Sequence, residues 1–160
     1  SKINSDNYLK FIVEELKPYI DKKHSVFTTA NHTAIMGSSM GGLISMYALC
    51  EYPNVFGKVA CLSTHWIGFR EFDNNPIPES FFAYMEKKLP EAKNHKIYFD
   101  YGTETLDAFY IKYEYRVDEI LKAKGYMDVD SRNLKFEGEN HSEASWQKRI
   151  HIPLEFMFGK

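Results

Sequence analysis

The sequence predicts an α/β fold: a mostly parallel, doubly wound sheet with helices on both faces. Two observations predict it. Short apolar runs alternate with helical stretches along the whole chain, an order that builds parallel sheets whose crossover helices cover both faces. The apolar run at 33–36 also ends in Gly37-Ser38-Ser39-Met40-Gly41-Gly42, and a helical pattern begins directly after it. Sheets of this kind bind ligands beyond the carboxyl ends of their strands. Chemistry is therefore expected just after Met36, Ser63, Tyr101 and Gly138.

The elements follow in order. Ser5 or Asp6 can cap a first helix reaching to about Tyr19, with Tyr8, Ile12, Leu16 and Ile20 on one stripe, Leu9 and Val13 beside it, and Pro18 ending or kinking it. Residues 22–32 are a polar connection. The strand at 33–36 leads into a helix from about Gly42 to Glu51, closed by Tyr52-Pro53. Residues 58–63 make a second strand. The segment 73–79 is a loop, and a helix over 79–89 ends at Pro90. Residues 95–101 form a third strand that Gly102 terminates. The spacing of Phe109, Tyr113, Val117 and Leu121 predicts a long helix over 107–124, stopped by Gly125. A fourth strand covers 133–138, and a last helix covers 143–150, with Pro153 restarting a short terminal piece.

Composition excludes several classes. The chain has 160 residues, 44% of them hydrophobic, enough for one domain over 1–160 with a sizeable core. Its formal net charge of −2, without a basic run or an acidic tail, points to no nucleic-acid partner. No stretch of about 18 apolar residues is present, so no membrane span is expected. Cys50 and Cys61 fall in a predicted helix and strand and read as buried free thiols.

Gly37-Ser38-Ser39-Met40-Gly41 fits G-x-S-x-G, in which a serine on a sharp strand-to-helix turn projects its hydroxyl above the sheet edge. The two glycines are expected to leave the room that such a turn needs, and the Met40 N–H at the helix start can stabilise an oxyanion. No Lys-Ser or Lys-Thr follows the glycines, and they are out of register for G-x-G-x-x-G, so phosphate and dinucleotide loops are excluded.

The histidines sort by sheet edge. His24, His32 and His95 precede strands, and His151 lies in the terminal helix. His65 and His141 follow strands at the edge where Ser39 sits. His141, after the last strand, is the candidate general base. The acid should follow the third strand, where Asp100, Glu104 and Asp107 compete. Asp100 still belongs to the strand. Asp107 is preferred over Glu104, because a short carboxylate on an ordered element orients an imidazole best, although Asp107 could equally cap the long helix.

Gly37-Ser38-Ser39-Met40-Gly41-Gly42, Tyr52-Pro53-Asn54-Val55-Phe56, Tyr98-Phe99-Asp100-Tyr101-Gly102-Thr103 and His141 with Trp146 together resemble the putative-esterase family of α/β-hydrolases. That family includes esterase D-like, feruloyl and enterochelin-type esterases and, more distantly, mycolyltransferases. The resemblance implies an α/β-hydrolase fold and a serine esterase. It implies hydrolysis of a carboxylic ester through an acyl-serine, with Ser39 as nucleophile, Asp107 as acid, His141 as base and Met40 in the oxyanion hole. It implies no cofactor and no metal, and a small-molecule or carbohydrate-linked ester as substrate. Family members carry an N-terminal half that supplies a second oxyanion donor, so this chain is expected to be the C-terminal portion of a longer enzyme. The same residues would serve an acyltransferase, and the fold alone would serve a non-catalytic binding module. The long segment between the second and third strands should overhang Ser39. Its His65 and Trp66 are the candidate substrate-binding residues, with Phe69, Phe72, Phe81, Phe82 and Tyr84 as further candidate wall residues.

Overall fold

The structure, a computed structural model, describes residues 4–68 and 70–159; Phe69 lies outside the described residues. Four strands pair in sequence order, all parallel: β1 (Ala34–Ser38), β2 (Lys58–Leu62), β3 (Lys96–Glu104) and β4 (Ser131–Asn140). The sheet carries helices on both faces, as an α/β-hydrolase sheet does.

Alternation along β2 sorts the faces, because successive strand side chains point to opposite sides. Val59 and Cys61 join Ile97 and Phe99 in the larger core. That core lies under α3 (Met40–Glu51), α4 (Pro76–Lys88) and α5 (Ile111–Ala123), which supply Met46, Leu49, Phe82, Met85, Val117 and Ile120. Ala60, Leu62 and Tyr98 point the other way, where Phe156 and Met157 of α7 (His151–Phe158) cover them, with Trp146 of α6 (Glu143–Arg149) packed alongside.

The first helix departs from expectation in two ways. It runs through Pro18 as α1 (Ser5–Lys10), a π-helical stretch (Phe11–Leu16) and α2 (Lys17–Lys23). The wider π register directly upstream of Pro18 makes room for a ring that would strike the carbonyl of the preceding turn. The same widening shifts the phase only of the residues beyond it. Leu9, with Ile12 and Val13, faces the core, while Tyr8, Leu16 and Ile20 remain exposed.

Further boundaries move. β3 continues past Gly102 to Glu104, because Gly102 still pairs with Phe136 and an irregularity between Gly102 and Glu104 lets β4 run on to Asn140. A side chain at Gly102 would overlap the Glu139 carbonyl oxygen, so glycine is what allows the two strands to approach here. The long helix begins later than the spacing predicted. A 3₁₀ turn (Thr105–Phe109) precedes α5, and the tighter turn leaves Phe109 exposed while Tyr110 is buried. α4 starts earlier than predicted, at Pro76, where the Asn75 side chain accepts the Ile77 N–H. No described helix is long and apolar enough to cross a membrane.

Candidate active site

Ser39 stands between β1 and α3 with φ 56° and ψ −121°, a conformation that non-glycine residues avoid. Three backbone hydrogen bonds hold it there. Its N–H donates to the Leu62 carbonyl at 2.9 Å, and its carbonyl accepts from Gly42 at 3.0 Å and His65 at 3.2 Å. The glycine argument holds on one side only. A Cβ on Gly37 would lie 2.6 Å from the Gly41 carbonyl carbon, whereas one on Gly41 would meet nothing within 4 Å. The second tight position is Gly42, where a Cβ would approach Thr64 Oγ1 to 2.7 Å. Helix α3 leaves the turn close over β1 and the end of β2, and Gly37 and Gly42 are the two positions where that approach leaves no room for a side chain.

His141 directly follows β4. Its backbone N–H donates to Thr105 Oγ1 at 3.0 Å. Its ring lies edge-on to Trp146, centroids 5.1 Å apart, and to Tyr110 at 5.9 Å. Held in this way, Nε2 is 2.9 Å from Ser39 Oγ and Nδ1 is 2.6 Å from Asp107 Oδ1.

Asp107 sits in the 3₁₀ turn after β3 and is fully buried. Besides His141, its carboxylate accepts the Gly102 N–H at 2.7 Å and the Ser63 hydroxyl at 2.5 Å, both on Oδ2. Glu104, the competing acid, is exposed at the end of β3. Asp100, the third candidate, is buried beneath the site and pairs with Arg149 of α6 at 2.9 Å. Burial pushes its carboxyl up from the ordinary range, with the Arg149 guanidinium opposing. Tyr110 has its phenol pushed up by burial and by the Asp107 charge.

The side chains of the two residues expected to bind substrate are largely engaged by the protein itself. His65 contacts the Gly68 carbonyl through Nε2 and the Tyr110 hydroxyl through Nδ1 at 2.9 Å. A carbonyl only accepts, so Nε2 carries the proton and Nδ1 receives the Tyr110 O–H. The His65 ring stands 6.1 Å from that of His141. Trp66 is 1% exposed, and its Nε1–H donates to Glu114 Oε1 at 2.7 Å. Burial pushes the Glu114 carboxyl up to about 8, against the Trp66 hydrogen bond.

An edge of Trp66 nonetheless lines a groove of about 690 Å³. The groove starts at Met40, beside Ser39, and runs between α3 and α4 past Leu43, Ile44, Tyr47, Ile77 and Phe81. Of the further wall candidates in the overhanging segment, Phe81 and Tyr84 line this groove, Phe82 is in the core, and Phe72 is exposed elsewhere. A larger hollow of about 1040 Å³ lies at the opposite, amino end of β4, near Met127 and Ser131, away from Ser39. Among the described residues no group of three or more His, Cys, Asp or Glu is placed to hold a metal ion. The Cys50 and Cys61 thiols are buried and free, and burial pushes Cys50 up to about 12.

Sequence reasoning missed Ser63, Arg149 and Glu114. Ser63 was findable, since it closes β2 at the same sheet edge as Ser39. Arg149 lies one helical turn after Trp146, but nothing in the sequence says that a charged residue there turns inward.

The arrangement can pass a proton from a serine hydroxyl to an imidazole backed by a buried carboxylate. Known proteins give it context. A Bacillus subtilis protein of undetermined function, YbbA, is 25% identical over 96% of this chain, and the match spans 60% of that protein. The enterobactin esterase of Shigella flexneri superposes over 96% of this chain and 38% of its own, with a TM-score of 0.74 at 18% identity. A ferulic acid esterase of Anaeromyces mucronatus superposes over 96% of this chain and 55% of its own, with a TM-score of 0.69 at 21% identity. The chain thus spans less than two thirds of each of these relatives. Residues 1–154 match the family model described as "Putative esterase", and the chain belongs to that family.

Proposed function

We propose that this chain carries the reacting residues of a serine carboxylic-ester hydrolase. Ser39 Oγ attacks the ester carbonyl while His141 Nε2 takes its proton. The tetrahedral oxyanion is held by the Met40 N–H at the start of α3. The C–O bond to the alcohol breaks, and the proton on Nε2 passes to the leaving alkoxide. Water then attacks the acyl-serine carbonyl while His141 Nε2 takes its proton, and that proton passes to Ser39 Oγ as the acyl C–O bond breaks, releasing the acid and free Ser39. Asp107 keeps the proton on Nδ1 and balances the charge that His141 gains. One observation carries the reading above the others. The chain spends a strained backbone conformation at Ser39 to hold its Oγ 2.9 Å from Nε2.

The substrate is a small-molecule or carbohydrate-linked ester. The groove beginning at Met40 suits an apolar, aromatic-sized acyl or alcohol group, in keeping with relatives named for enterobactin and ferulic acid. A fluorophosphonate probe and p-nitrophenyl acetate test the chemistry. The expected result is one label on Ser39 and hydrolysis, both abolished by Ser39→Ala in a folded protein. Labelling that survives Ser39→Ala, or that moves to Ser38, refutes the assignment.

A further inference from the structure

Ser63 closes β2 with φ 43°, and it is fully buried. Three polar groups converge on its Oγ: Asp107 Oδ2 at 2.5 Å, Trp146 Nε1 at 2.9 Å and Arg149 Nη2 at 2.9 Å. An indole N–H and a guanidinium can only donate. They occupy both lone pairs of the hydroxyl, so its single proton has one destination, Asp107 Oδ2. The Gly102 N–H donates to the same oxygen. Asp107 is thereby kept as an acceptor with Oδ1 turned to His141. Against an ionised Asp107 the Nδ1–H donates to Oδ1, and a neutral imidazole then faces Ser39 with the Nε2 lone pair. The two donor-only groups thus set the sense of the hydrogen bonds as far as Asp107 Oδ2.

The cation is costly to keep. Arg149 is 2% exposed, and its Nε and Nη1 find no partner among the described residues. Nη2 also binds Asp100 Oδ1 at 2.9 Å, Asp100 accepts the Tyr98 hydroxyl at 3.0 Å, and Phe136 stacks on the guanidinium at 5.0 Å. A buried pair with orphaned donors adds little to stability. Trp146 and Arg149 sit one turn apart on α6, which begins two residues after His141. One short helix therefore delivers both donors to Ser63.

We propose that Ser63 is a positioning residue, oriented by Arg149 and Trp146, that holds the Asp107 carboxylate in the rotamer His141 requires. The proposal rests on the reading of Ser39, Asp107 and His141 as the reacting set. The competing role is purely conformational, since residue 63 must adopt a positive φ to close the strand.

Ser63→Ala and Ser63→Gly separate the two roles. Both lack the hydroxyl, but glycine adopts φ 43° without strain. The readouts are kcat and KM for p-nitrophenyl acetate, and the far-downfield proton resonance of His141 Nδ1–H, assigned by its absence in His141→Gln. The expected result is that both variants lose about 10- to 100-fold in kcat, as for a lost hydrogen bond to a charged group, with KM within about twofold. The Nδ1–H resonance should also move or broaden in both. A Ser63→Gly protein with wild-type kcat and an unmoved resonance overturns the proposal and leaves residue 63 a backbone role alone. If the wild-type chain hydrolyses no ester and takes no probe, the hydrolase reading fails. The resonance comparison still decides whether Ser63 positions Asp107.

Discussion

Asp107 and His141 meet at 2.6 Å, Oδ1 to Nδ1, across two chain segments that the parallel pairing of β3 and β4 brings side by side. The Thr105 hydroxyl accepts the His141 N–H, and Thr103 Oγ1 accepts the Gly138 N–H at 2.8 Å, so the two segments are also stitched above the strands. Thr105 takes φ 56° to do this, a real outlier for a β-branched residue. Backbone strain at Ser39, Ser63 and Thr105 therefore borders the same few side chains.

This pairing makes the acid testable. Asp107→Asn should lower turnover about ten-thousand-fold, because an amide NH₂ cannot accept from Nδ1–H and the imidazole tautomer is lost. Glu104→Gln, on an exposed side chain, should cost less than about tenfold. Steady-state rates with p-nitrophenyl acetate separate them. Equal losses would mean that the acid is shared or misassigned.

The two histidines should part company in the same assay. His141→Ala should reduce turnover about ten-thousand-fold or more, since it removes the only imidazole touching Ser39 Oγ among the described residues. His65→Ala removes a contact with Tyr110 and Gly68, and should alter substrate preference with turnover retained within about tenfold. A collapse of turnover in His65→Ala with His141→Ala spared would reverse the two roles.

The glycines of the turn should differ in urea unfolding. Gly37→Ala drives a methyl into the Gly41 backbone and should cost several kcal/mol, in the range of overpacked sites. Gly41→Ala enters open space inside α3 and should stabilise by about 0.5–1 kcal/mol through helix propensity. Similar midpoints for the two variants would remove the steric account of the turn.

Glu114 makes stability depend on pH. Its carboxyl is raised to about 8 in the folded chain from an ordinary value of 4.5. Below 4.5 both folded and unfolded forms are protonated and the group contributes no slope. Between 4.5 and 8 the unfolded chain has released its proton while the folded chain retains it, so stability falls as pH rises, and it levels off above 8. Glu114→Gln keeps an acceptor for Trp66 and has no charge to bury. Its stability gain over wild type should grow from pH 5 to pH 8 and reach a few kcal/mol, on the order expected from linkage. Urea midpoints at both pH values measure this, and a pH-independent difference would show that Glu114 is not the group that titrates.

The sequence by itself determined the order of strands and helices, the sheet edge that bears the candidate site, and Ser39 and His141 as residues at that edge. These follow from local rules: periodicity, punctuation by glycine and proline, and the position of a motif after a strand. The tertiary structure decided the rest, because it depends on side chains far apart in the chain. The π-helical stretch before Pro18 and the 3₁₀ turn at Thr105 rotated the buried faces of their helices, and neither register is written in residue spacing. Trp66 and His65 looked like free binding groups until Glu114, Tyr110 and Gly68 took up their polar atoms. Ser63 and Arg149 looked like ordinary strand and helix residues, and Asp100 entered only as a competing candidate acid. Their meeting under Asp107 requires α6 to fold back against the ends of β2 and β3, and only the packed sheet gives a buried hydroxyl two donors and a single carboxylate to serve.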